Sequence, residues 1–125
     1  MRRVLVLLAL LVASAASAAE TTLYTAGIQV TGTDHFNCEL LNAGKKDLDV
    51  TMEIRVVTSP PPDFLTCKIG GDTIPPGRIS GDESDPVTCA AAGYFYGVFT
   101  FKGKAKDVRA FCWVPEAPAQ RVEAR

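Results

Sequence analysis

From residue 21 onward, apolar and polar side chains alternate with a period of two, the pattern of strands with one buried and one wet face. The cleanest run covers residues 47–57, where Leu48, Val50, Met52, Ile54 and Val56 alternate with Asp49, Thr51, Glu53 and Arg55. Ahead of it, Phe36, Cys38 and Leu40 share one side of a shorter segment. Asn42-Ala43-Gly44-Lys45-Lys46 between the two has turn chemistry and predicts a hairpin. An earlier strand is expected within residues 22–30.

Residues 59–63, Ser-Pro-Pro-Pro-Asp, suit no regular element. A short strand over 64–69 aligns Leu65, Cys67 and Ile69. Pro75-Pro76-Gly77 then turns the chain, and 81–87 reads as a polar loop. The aromatic segment 93–102 predicts a strand with Phe95, Gly97, Phe99 and Phe101 on one face and Tyr94, Tyr96, Val98 and Thr100 on the other. Residues 103–106 turn, and 108–114 align Val108, Ala110, Cys112 and Val114. Six to seven short strands at roughly ten-residue spacing describe an all-β, antiparallel β-sandwich, with a small barrel as the alternative. The domain spans residues 19–114, and 115–125 is expected to be a flexible tail.

The N-terminus follows another pattern. Arg2 and Arg3 precede nine apolar residues, Val4 to Val12, and then the small-residue run Ala16-Ser17-Ala18. This is the anatomy of a secretory signal peptide over 1–18, and its apolar run is about half of the ~20 residues a membrane span needs. Cleavage after Ala18 leaves 107 residues of the 125 and removes two of the 13 basic side chains and none of the 14 acidic ones, for a net charge of −3. The expected product is exported, periplasmic or extracellular, without a membrane span. A mildly acidic chain carries no overall attraction for nucleic acid.

The arrangement Cys38-x3-Asn42, an alternating strand, Pro75-Pro76-Gly77, an aromatic strand and Gly103-Lys-Ala-Lys-Asp-Val-Arg-Ala110 resembles a group of small exported bacterial proteins of uncharacterised role. The resemblance covers roughly residues 21–114 and implies an immunoglobulin-like sandwich, with residues 103–110 as a hairpin. In that group the aromatic strand commonly reads Tyr-Cys-x-Phe, and its cysteine is a natural partner for the early one. Here the same stretch is Tyr96-Gly97-Val98-Phe99, with Cys89 and Cys112 nearby instead.

All four cysteines, Cys38, Cys67, Cys89 and Cys112, follow the leader. An even count in a small exported domain points to disulfides, and four cysteines allow three pairings. Their wide spacing lacks the close pairs of a zinc site. Cys38, Cys67 and Cys112 share faces with apolar neighbours, which favours Cys38–Cys112 with Cys67–Cys89. The first bond would tie an early strand to the last one across the core.

Candidate chemistry is sparse. The single histidine, His35 beside Asp34, is a possible base or ligand but reads first as a solvated turn residue. Asp82, Glu83 and Asp85, with Asp72 upstream, lack the spacing of a calcium loop. Lys102, Lys104, Lys106 and Arg109 concentrate positive charge within eight residues and can bind an anion; lysines also discourage edge-to-edge strand pairing, which needs no ligand. Tyr94 and Tyr96, with Phe111 and Trp113 on a neighbouring strand, are the candidate aromatic platform. No cofactor or metal site is expected. The reading is a non-enzymatic binding or structural module of the cell envelope, partnered by protein or envelope glycan. The alternative is a small secreted hydrolase or enzyme inhibitor with a site near Asp34 and His35.

Overall fold

The period-two runs become strands in the computed structural model, which describes residues 19–31, 34–57, 64–83 and 93–125, with only the backbone of residues 82, 83, 118 and 119. Among the described residues nine strands follow one another: β1 (Glu20–Tyr24), β2 (Ile28–Val30), β3 (Asn37–Asn42), β4 (Leu48–Val57), β5 (Phe64–Ile74), β6 (Ile79–Glu83), β7 (Gly93–Lys102), β8 (Val108–Val114) and β9 (Ala117–Glu123). One antiparallel sheet runs β1-β7-β4-β5, with β2 continuing the β1 edge along β7. The other runs β6-β3-β8-β9. The chain is an all-β, antiparallel sandwich.

Alternation decides the inner faces. Leu48, Val50, Met52, Ile54 and Val56 of β4 and Phe95, Phe99 and Phe101 of β7 are buried from one sheet. Cys38 and Leu40 of β3 and Val108, Ala110, Cys112 and Val114 of β8 are buried from the other. Phe36, just before β3, crosses the interface to pack on Phe95, their ring centroids 5.7 Å apart. Each large apolar side chain removed from water here contributes roughly 1.5–3 kcal/mol before entropy is charged against it.

Cys38 and Cys112 form a disulfide, as their shared faces suggest. Its geometry differs from the expectation in one respect. The two residues are direct cross-strand partners on β3 and β8, so the bond staples neighbouring strands of one sheet and does not bridge the sheets. What touches it from the opposite sheet is Gly97 of β7. The backbone of Gly97 is paired on its edge by Thr25: Gly97 N–H donates to Thr25 Oγ1 at 2.9 Å, and Thr25 N–H donates to the Gly97 carbonyl at 3.0 Å. This junction fills the break between β1 and β2. Cys67 is also disulfide-bonded and sits in a bulge of β5, where the β4 register slips between Ile54 and Arg55. Its expected partner Cys89 lies outside the described residues, as do residues 1–18, the proline run 59–63 and Asp85.

Four expectations are corrected. Residues 42–46 are not a hairpin turn, because β3 and β4 lie in different sheets. For the same reason residues 103–110 are not a hairpin: 103–107 cross from β7 to β8 on a 3₁₀ turn at Ala105–Asp107, and 108–110 begin β8. Part of the polar loop, through Glu83, is strand β6, paired with β3. The tail is not flexible throughout: β9 pairs with β8, and Val122 and Ala124 pack against the core. Its composition carries little strand signal, so the open β8 edge supplies the order.

Candidate functional site

The two crossings meet at one end of the sandwich. Asn42, at the end of β3, is buried and organises the first. Its Nδ2 donates to the carbonyls of Lys46 and Ile74, both at 2.8 Å, and its Oδ1 accepts from Gly44 N–H at 3.0 Å. Ala43 N–H donates to the Asp107 carbonyl at 2.9 Å, which ties the first crossing to the second. Gly77, at φ 74° in the left-handed region that glycine tolerates, donates its N–H to the Asn42 carbonyl at 2.7 Å. The Pro-Pro-Gly turn therefore buttresses the same corner.

Between the crossings lies a depression of about 680 Å³. Its lining includes Lys45 and Lys46 from the first crossing, Lys102 from the end of β7, and Lys104 and Lys106 from the second crossing. Leu48, Val108 and Ala43 supply apolar lining, and Asp47 and Asp107 the two carboxylates. Five ammonium groups against two carboxylates leave this concavity positive on a chain that is acidic as a whole. Clefts of one charge sign focus field lines and concentrate counter-ions of the other sign.

Lys102, Lys104 and Lys106 line one depression with Lys45 and Lys46, whose segment has the composition of a hairpin turn. A signal for them exists: each crossing opens with Gly-Lys, at Gly44-Lys45 and Gly103-Lys104. Arg109 is not among them. It sits opposite Leu41 on the outer face of the β3–β8 sheet and lines a separate depression with Phe111, Arg121 and Arg125. Nor do the lysines guard a free strand edge. Four lie in connectors, and Lys102 ends β7, a strand paired on both sides.

The aromatic platform divides. Tyr94 and Tyr96 belong to β7 and Phe111 and Trp113 to β8, so the two pairs face outward from opposite sheets. An arginine stacks on an aromatic ring on each face. Arg121 stacks 3.7 Å above the Phe111 ring, which lies 5.4 Å from Trp113. On the other face Arg55 sits 4.1 Å over Phe64 and pairs with Glu53 at 2.8 Å. Burial disfavours the Arg55 charge, but hydrogen bonds and attraction to Glu53 and Tyr96 outweigh it and hold its pKa above the ordinary value. Tyr94 remains 56% exposed.

His35 is oriented by Glu116, not by Asp34. Its Nδ1 lies 2.6 Å from Glu116 Oε1, and its backbone N–H donates to Glu116 Oε2 at 3.1 Å. Asp34 accepts instead from Thr31 Oγ1 at 2.7 Å. The hydrogen bond from His35 pulls the Glu116 carboxyl below its ordinary pKa. Both side chains are half-exposed, and His35 lines neither the lysine depression nor the arginine one. Asp82 and Glu83 fall in β6, while Asp72 accepts from Ser80 Oγ at 2.6 Å. Among the described residues no three His, Cys, Asp or Glu side chains group as metal ligands, and no helix is long and apolar enough to cross a membrane. Comparison with protein-family models, with curated proteins and with solved structures returns no match.

Proposed function

We propose that the protein is an exported, non-enzymatic binding module of the cell envelope, and that it holds an anionic partner at its lysine-lined corner. The observation that carries this reading is the convergence of five lysines, four from two crossings far apart in sequence and one from the end of β7, on one depression. Their position away from any free strand edge removes the edge-protection reason for them. Export is supported by the leader-like residues 1–18 and by disulfide bonding, which persists in oxidising compartments. The enzyme or inhibitor alternative has the His35–Glu116 pair as its material, and that pair is half-exposed and remote from the lysine lining. An envelope glycan bearing acidic groups suits the corner better than a neutral one.

Retention on immobilised heparin, a sulfated glycan used as a polyanion probe, tests the reading. The protein is expected to be retained at low salt and released as salt screens the contact. Replacing Lys45, Lys46, Lys102, Lys104 and Lys106 by Gln should abolish retention, whereas Tyr94→Ala/Trp113→Ala should not. Equal retention of the five-lysine variant and the parent sinks the proposal.

A further inference from the structure

The lining of the lysine depression also includes Ala19, the residue after the expected cleavage point. We infer that removal of residues 1–18 completes this pocket by freeing an α-ammonium group on its wall, and that the completed pocket takes a compact phosphate-type anion. The inference rests on the reading of an exported protein with its site at the lysine corner.

Ala19 is pinned where the new charge would act. Its carbonyl accepts from Gly103 N–H at 3.4 Å, and Thr21 Oγ1 donates to the Gly103 carbonyl at 2.6 Å. These bonds clamp the start of β1 to Gly103, which follows Lys102 and opens the crossing that carries Lys104 and Lys106. Before cleavage the nitrogen of Ala19 is a neutral amide. Afterwards it is an α-amino group whose ordinary pKa of about 7.7–8.0 leaves it mostly protonated at neutral pH. Cleavage therefore adds a sixth cation to the five lysines, against the same two carboxylates.

The charge count bears on the ligand. Ammonium groups are compact, hydrated point charges that bind an anion by charge, so several of them together favour a multiply charged group such as phosphate; arginine's planar fork would match carboxylate and phosphate alike. The described lining holds lysines and no arginine. Its volume of about 680 Å³ is that of a small-ligand site. A free phosphate compound and a phosphate carried on an envelope glycan present the same group.

The test uses the processed protein recovered from the envelope fraction, with its N-terminus identified by intact mass and inorganic pyrophosphate as the calorimetric probe. The expected results are a chain beginning at Ala19 and pyrophosphate binding that weakens about fivefold when the α-amino group is selectively blocked. Lys45→Gln/Lys46→Gln and Lys104→Gln/Lys106→Gln should each weaken it at least as much, with Lys68→Gln unchanged. If pyrophosphate also displaces bound envelope glycan, the natural phosphate is glycan-borne; if no glycan binds, it is soluble, and either outcome supports the inference. A different N-terminus, or a blocked amine that leaves affinity intact while the lysine pairs lower it, overturns the inference and leaves the proposed binding corner standing. Absence of binding, or binding indifferent to both lysine pairs, overturns both.

Discussion

A Cβ on Gly97 would collide with Cys112 Sγ and lie 2.8 Å from Cys38 Sγ, well inside contact distance of both. The two cysteines are fully buried and bonded to each other across paired strands, so neither sulfur can swing aside. Gly97→Ala should therefore destabilise the fold by about 3 kcal/mol, the upper part of the overpacking range, as read from urea unfolding. Asn42 is the second residue whose identity is demanded by its surroundings. Asn42→Ala orphans the Gly44 N–H and the carbonyls of Lys46 and Ile74 and should cost about 2–4 kcal/mol, at one to three per group left buried without a partner and with some groups rescued by water. Asn42→Asp should be worse than Ala, since a carboxylate would then face two carbonyl oxygens; equal melting temperatures for the two would contradict this geometry. Glu116 gives a pH signature. Its folded-state pKa lies below the ordinary 4.5, so its contribution to stability is complete above the unfolded carboxyl range and is lost as pH falls through the folded value. In His35→Ala the Glu116 carboxyl should titrate close to its ordinary value, a shift that an NMR pH titration reads directly.

At the scale of elements, the Cys38–Cys112 bond closes a separation of 74 residues. In the chain-entropy account such a loop is worth roughly 4 kcal/mol, a large share of what a domain of this size retains. Replacing both cysteines by Ala should lower the unfolding free energy by about that amount, and a loss below about 1 kcal/mol would show that the neighbouring strands hold register unaided. Strands and faces were legible where alternation was strong: β7 and β8 begin and end where the pattern places them, and β4 buries the predicted set. The sheet each strand joins was not legible. Asn-Ala-Gly-Lys-Lys has the same turn composition whether it reverses a hairpin or carries the chain across, and the choice falls to Asn42, whose amide is captured by Ile74, 32 residues away. β9 was missed for the opposite reason, since its order comes from the β8 edge. The lysine corner and the His35–Glu116 pair needed contacts between distant segments, the latter 81 residues apart, which no local pattern encodes.

Across the whole molecule the charge is unevenly spread, with an acidic total and a cationic end, so the salt dependence of binding should far exceed that of stability. The two sheets also meet along one side. Tyr24, at the end of β1, exchanges two backbone hydrogen bonds with Arg125, at 3.1 and 3.0 Å, and Ala124 N–H donates to the Ala110 carbonyl at 2.8 Å. Deleting residues 117–125 removes this seam together with β9, and should turn cooperative unfolding into a broad, probe-dependent transition. A sharp transition in the truncated chain would show that the seam is dispensable. The same seam bears on timing. β4 can pair with β5, and β3 with β6, as soon as each is made, but β1 waits for β7, β3 for β8, and Tyr24 for Arg125, so neither sheet is complete until the last residues exist. Wiring of this kind folds slowly, on the scale of milliseconds to seconds. Such delay would suit the export proposed above, since a chain still open can thread a narrow channel and become a solid object only on the far side.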